Sequence, residues 1–413
     1  MFKQTLKHSM ILLVGMFGAQ IINFISIPII TRLYAPEVYG NYTEYIAVAW
    51  IIGTLASLKI EVSIPIVKWI DSIRFKASVI KLSFSISLFS ITMVYLLKQD
   101  SSWLFVFFSS FFISLSFIET SFLSKLKAYK LISNLRLVQV ALQTLMMFVF
   151  YYIDGTYFSL LCAFTLSRIP YLFILYNIVK RTSKYGKDGI AKLIEKNSKV
   201  VKFTFPSSVC TVLMNQLPIL LLASLFNKEY AAFYALIYSV LVLPSSLISG
   251  AISNSIYPKL SVKTEKTKNL LFNCYLFLIA ISLIVFILVF TFAQNGVFTL
   301  LLGSEWGQTS TVINALTIWL SAQFSSTVFS NLFYITGRNA ELLFFTVLDM
   351  LCRMLFLYSL SNPDLAILYL SYSGAIFSVV ITIRGACLYM SEFKMFTLLA
   401  FIPPLIMVFL NYV

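Results

Sequence analysis

The chain has 413 residues, 59% of them hydrophobic and 11% charged, with a mean hydropathy of +0.89. A soluble protein of this size carries about a quarter charged residues, so a water-soluble fold around one core is excluded and the bilayer takes the place of solvent. The net charge of +15 would suit nucleic acid, but the positions of the cations account for it by topology, and no nucleic-acid partner is expected.

The chain opens on MFKQTLKHSMILLVGMFG, and the apolar run continues to Ile30 without a small-residue cleavage site. This reads as an uncleaved first helix rather than a signal peptide. A helix needs roughly 20 apolar residues to cross a bilayer. Spans are expected at 9–30, 42–64, 78–97, 103–123, 137–153, 158–179, 203–226, 231–254, 270–293, 309–335, 341–360 and 365–383. A thirteenth run, 395–412, contains Pro403 and Pro404, and either spans or lies at the interface.

With the N-terminus in the cytoplasm, the cytoplasmic segments hold 25 of the 31 Lys and Arg residues. The turns on the other side hold Arg32, Lys98 and Lys228, and three cations, Lys59, Arg168 and Arg353, fall inside spans. This is the positive-inside pattern, and it sets the orientation. The far-side loops are short, such as KQDSS (98–102) and DGTY (154–157). The most polar stretch, 181–202, separates an N-terminal six-helix lobe (1–180) from a C-terminal lobe of six or seven helices (203–413).

An internal repeat supports that division. LYAPEVYGNY (33–42) aligns with LFNKEYAAFY (225–234), pairing Leu33 with Leu225, Glu37 with Glu229 and Tyr42 with Tyr234. The expected fold is therefore an all-α polytopic membrane protein: two pseudo-symmetric bundles of six transmembrane helices around a central cavity. Parallel repeats of this kind enclose a site near the bilayer midplane.

Ionisable residues within spans are the candidate site, because a central charge costs about 2.5–3.5 kcal/mol on insertion scales and so faces water or pairs. Arg32 ends the first helix and either lines the outer mouth or is an ordinary interfacial arginine. Lys59 and Glu61, in SLKIEVSIPI (57–66), would face different sides of a helix and so not pair; Lys59 either snorkels or faces the cavity. Glu119 and Glu61 are possible partners for Arg168, which lies mid-span in TLSRIPYLF (165–173). Asp349 and Arg353, four apart, share a helix face and form either a private salt bridge or an anion contact. Pro28, Pro170, Pro206, Pro218 and Pro244 would bend helices beside a wet cavity. The five cysteines lack metal-ligand spacing, His8 is the one histidine, and no nucleotide loop or catalytic triad is present. No cofactor is expected.

The segments GAQIINFISIPIITRLYAPEVYGNY (18–42), SLKIEVSIP (57–65) and the amphipathic SKLKAYKLISNLRLVQ (124–139) are characteristic. So are FPSSVCTVLMNQLPILLLASLF (205–226), AAFYALIYSVLVLPSSLISGAISNSIYPKLS (231–261) and LLGSEWGQT (301–309). With these the chain resembles the O-antigen type of polysaccharide flippase in the MOP (multidrug/oligosaccharidyl-lipid/polysaccharide) exporter superfamily. The resemblance implies a non-enzymatic transporter in a bacterial inner membrane. It would move an undecaprenyl-diphosphate-linked oligosaccharide to the periplasmic leaflet by alternating access, coupled to protons or sodium. Its implied partners are that lipid-linked glycan, membrane lipids and glycan polymerase machinery.

On this reading Arg168, Lys59, Arg353 and Arg32 face the substrate, and Glu61, Glu119 and Asp349 answer to the coupling ion. Lys59 stands where the related motif usually has Arg, which keeps the charge and loses the bidentate fork. A multidrug exporter of the same superfamily is the first alternative, and a membrane glycan polymerase or ligase the second.

Overall fold

The computed structural model describes residues 2–65, 69–98, 102–172, 200–250, 252–253, 256, 260, 264–389 and 394–412. Most of the connector expected at 181–202 lies outside them. Among the described residues the chain is helical throughout, with no strand. Its helices are α1 (Phe2–Leu33), α2 (Pro36–Ala56), α3 (Trp69–Lys98), α4 (Trp103–Lys125), α5 (Tyr129–Tyr151), α6 (Tyr157–Leu166) and α7 (Phe205–Leu225). Then follow α8 (Lys228–Pro244), α9 (Glu265–Gln294), the short α10 (Val297–Leu302), α11 (Thr309–Ile335), α12 (Asn339–Ser359), α13 (Pro363–Tyr389) and α14 (Lys394–Tyr412). Eight segments among the described residues are long and apolar enough to cross a membrane. The chain is a multi-pass, all-α membrane protein.

Two compact units divide the chain at Leu220/Leu221, within α7. In the first, α1 packs along α5, and α2 lies against α3, α4 and α6. Gly53 of α2 makes the α2–α4 approach possible: a Cβ there would sit 2.8 Å from the Ser110 carbonyl. Hydroxyl pairs link neighbouring helices, where lipid-like surroundings favour polar contacts within the protein. Ser83 and Ser114 meet at 2.7 Å between α3 and α4, and Ser109 and Thr165 at 2.7 Å between α4 and α6. In the second unit α11 is the axle, packed by α8, α9, α13 and α14. Of its apolar window 83% is buried, against 28% for α3, so its surroundings are protein on every side.

Helix ends carry the sequence's own signals. Pro36 opens α2, where its missing N–H costs nothing. The Asn227 carboxamide oxygen caps α8 by accepting from the Tyr230 N–H at 2.9 Å. The turn after α4 is a Schellman motif: Lys127 takes φ 56°, its N–H donates to the Ser124 carbonyl, and the Ala128 N–H donates to the Leu123 carbonyl, each at 3.0 Å. The turn after α11 repeats it with Gly337 at φ 71° and the Arg338 N–H on the Phe333 carbonyl at 2.8 Å.

Two expected spans are interrupted. The helix read as 42–64 stops at Ala56, because Leu58 and Lys59 both adopt positive φ (49° and 56°); a 3₁₀ turn, Ile60–Ser63, follows. The helix read as 158–179 stops at Leu166. Pro170 has no N–H for the Leu166 carbonyl, which accepts from the Ile169 N–H at 3.0 Å instead. The segment 395–412 is helical as α14, with Pro403 and Pro404 inside it, and packs on α11 and α13.

Candidate functional site

Arg168 occupies the turn that Pro170 imposes at the end of α6. Only 4% of it is exposed. Its Nη1 donates to the Phe164 carbonyl at 2.6 Å, and its guanidinium lies over the Phe164 ring at 3.5 Å. Among the described residues no carboxylate lies within ion-pair distance of it. Tyr42, Arg136 and Tyr171 are the groups within electrostatic range. The Tyr171 hydroxyl in turn donates to Gln139 Oε1 at 3.2 Å. Arg168 therefore joins neither Glu61 nor Glu119, the acids proposed for it from sequence.

Those acids have other partners. Glu119 of α4 binds Lys76 of α3 at 2.6 Å, with side-chain exposures of 0% and 1%, and the Lys76 ammonium also lies 4.4 Å from the Phe122 ring centroid. Lys76 is one of the 25 cations that the alternating topology assigns to cytoplasmic segments. The structure instead buries it inside α3, seven residues after the first residue of that helix. Glu61 pairs with Lys59 at 3.6 Å, which corrects the expectation that the two cannot meet. That expectation assumed a continuous helix, and the left-handed backbone at Leu58 and Lys59 breaks it. The Lys59 ammonium also rests 4.2 Å over the Phe117 ring, while Glu61 Oε2 is buried without a hydrogen-bond partner. Arg32 is exposed at the C-terminal end of α1.

In the second unit Asp349 and Arg353 form a bidentate pair, Nε to Oδ1 at 2.7 Å and Nη2 to Oδ2 at 2.8 Å. Ser373 of α13 donates to the same Oδ1 at 3.1 Å. The Arg353 guanidinium lies 3.7 Å over Trp319, and Trp319, Tyr238 and Tyr234 stack in turn. Gly374 makes room for this: a Cβ there would come within 2.6 Å of Trp319 and collide with the guanidinium. Of the two sequence readings, the geometry favours the private salt bridge. Sequence reasoning gave no site role to Lys76, Gln139, Trp319, Tyr42, Tyr234 or Tyr238. Of these only Tyr42 and Tyr234 carried a signal, as a matched pair in the repeat.

No group of three or more His, Cys, Asp or Glu able to hold a metal occurs among the described residues. Among the described residues the arrangement offers buried and half-buried cations, with Lys59, Lys76 and Arg353 paired to carboxylates and Arg168 not.

Comparison with known proteins places these features in a family. A model for the polysaccharide biosynthesis protein family matches residues 102–311. No functionally curated protein matches in sequence. Among solved structures, the lipid II flippase MurJ in an inward closed conformation superposes with a TM-score of 0.64 at 15% identity, covering 95% of this chain and 98% of that one. A variant of the Vibrio cholerae MATE transporter VcmN gives 0.61 at 15% identity, covering 95% and 98%. A MOP superfamily transporter from Pyrococcus furiosus gives 0.58 at 13% identity, covering 92% and 94%. Likeness at this identity establishes the shared transporter fold, and the family match covers just over half the chain: this protein belongs to the polysaccharide biosynthesis protein family, built on the fold of the MOP exporters.

Proposed function

We propose that the protein is a flippase that carries a polyprenyl-diphosphate-linked oligosaccharide, of the O-antigen repeat-unit kind, from the cytoplasmic to the periplasmic leaflet by alternating access. The observation that carries this reading is Arg168, buried in a membrane-type unit with no carboxylate partner among the described residues. A desolvated guanidinium without an acid is costly by itself and complementary to phosphate, which it can engage with two parallel donors. The family match and the likeness to a lipid II flippase support a lipid-linked glycan as the class of cargo.

Lys59, whose ion pair at 3.6 Å is longer than the others in the interior, and Arg32 extend the cationic surface. Arg353, held by Asp349, braces its own unit. Glu61, with an unsatisfied buried Oε2, is the residue that takes up the coupling proton or sodium ion. The protein sits in a bacterial inner membrane with its N-terminus in the cytoplasm and hands its cargo to glycan polymerase machinery.

The test is Arg168→Ala in a strain lacking the chromosomal copy, with membrane insertion checked by protease accessibility. Surface glycan should fall at least tenfold and lipid-linked oligosaccharide should accumulate. Normal glycan display by an inserted Arg168→Ala protein would overturn the assignment. A change confined to drug resistance would mark a multidrug exporter instead.

A further inference from the structure

Asp349, Ser373 and Tyr234 of the second unit have register counterparts in the first: Gln139, Ser167 and Tyr42. Asp349 and Gln139 each stand ten residues after the first residue of their helix, α12 and α5. Ser373 and Ser167 each stand ten residues after the first residue of α13 and α6. Tyr234 and Tyr42 each stand six residues into α8 and α2. The Schellman turns that precede α5 and α12 place Lys127 and Gly337 in the same register. Electrostatic neighbours agree, since Tyr42 lies within electrostatic range of Arg168 and Tyr234 within that of Arg353.

The guanidiniums belong to different elements: Arg353 to α12, and Arg168 to the turn that follows α6. Arg168 follows Ser167 directly, while Arg353 comes from α12 and lies against Gly374, the residue that follows Ser373. In the second unit a carboxylate at the shared position clamps the guanidinium with two hydrogen bonds. In the first unit the shared position holds an uncharged carboxamide, 3% exposed, which accepts from the Tyr171 hydroxyl. Arg136, three residues before Gln139 on α5 and exposed, adds a second cation within electrostatic range of Arg168 and Tyr171.

We infer that Gln139 is a specificity-determining residue: by standing uncharged where the second unit places an acid, it leaves Arg168 and Arg136 free to bind a diphosphate, with the Tyr171 hydroxyl beside them. The first unit holds the working anion subsite, and the second holds a copy closed by its own aspartate. This deepens the flippase reading and rests on it.

The test uses the full chain in lipid nanodiscs, with farnesyl diphosphate as the probe and binding measured at two salt concentrations. Gln139→Glu keeps the size of the side chain and its acceptor for Tyr171, and it should weaken binding at least tenfold. Its melting temperature without probe should stay level or rise, because the new carboxylate compensates Arg168. Gln139→Met removes the polar group without adding charge and should stay within threefold of wild type. Arg136→Gln, at an exposed position where folding is safe, should weaken binding three- to tenfold and flatten its salt dependence.

If wild type binds and Gln139→Glu binds equally well, the subsite is wrong and the flippase reading stands. Equal losses in Gln139→Met and Gln139→Glu would show a packing role in place of a charge role and overturn the inference. A wild-type chain that ignores farnesyl diphosphate at all concentrations would overturn the diphosphate cargo itself, and the subsite with it. Should Gln139→Glu fail to fold, Arg136→Gln decides alone, and unchanged binding there overturns the proposal.

Discussion

The state of each buried ion in this protein follows from the partners that meet it. Lys76 and Glu119 are sealed together at 2.6 Å with exposures of 1% and 0%. Such a pair adds little net stability, because desolvating both ions offsets their attraction, yet removing one member strands the other. Lys76→Met should therefore destabilise the protein by about 3–5 kcal/mol. The double variant Lys76→Met with Glu119→Met should recover most of that loss. Thermal unfolding in detergent by tryptophan fluorescence measures both, and a double variant as unstable as the single one would show that the pair does more than neutralise itself. Arg168 differs because its neighbours are an aromatic face and a backbone carbonyl. A cation–π contact of this sort is worth about 0.5–2 kcal/mol, well short of the cost of an unpaired buried charge, so the side chain retains demand for an anion.

Helix breaks do the placing. Arg168 lies on a turn enforced by Pro170, and the Lys59–Glu61 pair forms because α2 ends at Ala56. A non-glycine residue in the left-handed region costs roughly 1–2 kcal/mol. The Schellman turn at Lys127 bears that cost where its counterpart after α11 uses Gly337. Lys127→Gly should then stabilise the protein by about 0.5–1 kcal/mol, a few degrees or less in Tm, whereas Lys127→Val should destabilise it. A lower Tm for the glycine variant would contradict the turn geometry. Gly53 and Gly374 serve a different purpose, admitting α4 and the Arg353 guanidinium to close approach.

At the scale of the whole molecule the chain divides into two helical units, with the boundary at Leu220/Leu221 inside α7 and not at the polar stretch 181–202. Its orientation is open to direct measurement. In a cysteine-free background, Thr156→Cys, in the exposed turn between α5 and α6, should react with an impermeant maleimide in intact cells. Arg338→Cys, in the exposed turn between α11 and α12, should react only after permeabilisation. The reverse pattern would invert the topology and the direction of transport with it.

Hydropathy alone determined that the chain is a helical membrane protein, because no other backbone except a closed barrel satisfies its own hydrogen bonds in lipid, and barrel strands alternate where these runs do not. The repeat was legible because start and cap residues recur locally, and Asp349 with Arg353 was legible because four residues make one helical turn. What the sequence could not decide was every contact between helices or across a break: that Lys76 meets Glu119, that Lys59 reaches Glu61, and that Arg168 meets no acid among the described residues. Those outcomes depend on which faces of neighbouring helices come together and on two backbone interruptions a few residues long. Gln139 is one polar residue among several on α5 until folding sets it beside Tyr171 and in register with Asp349, because an uncharged side chain acquires electrostatic meaning only from the charges the tertiary structure gathers around it.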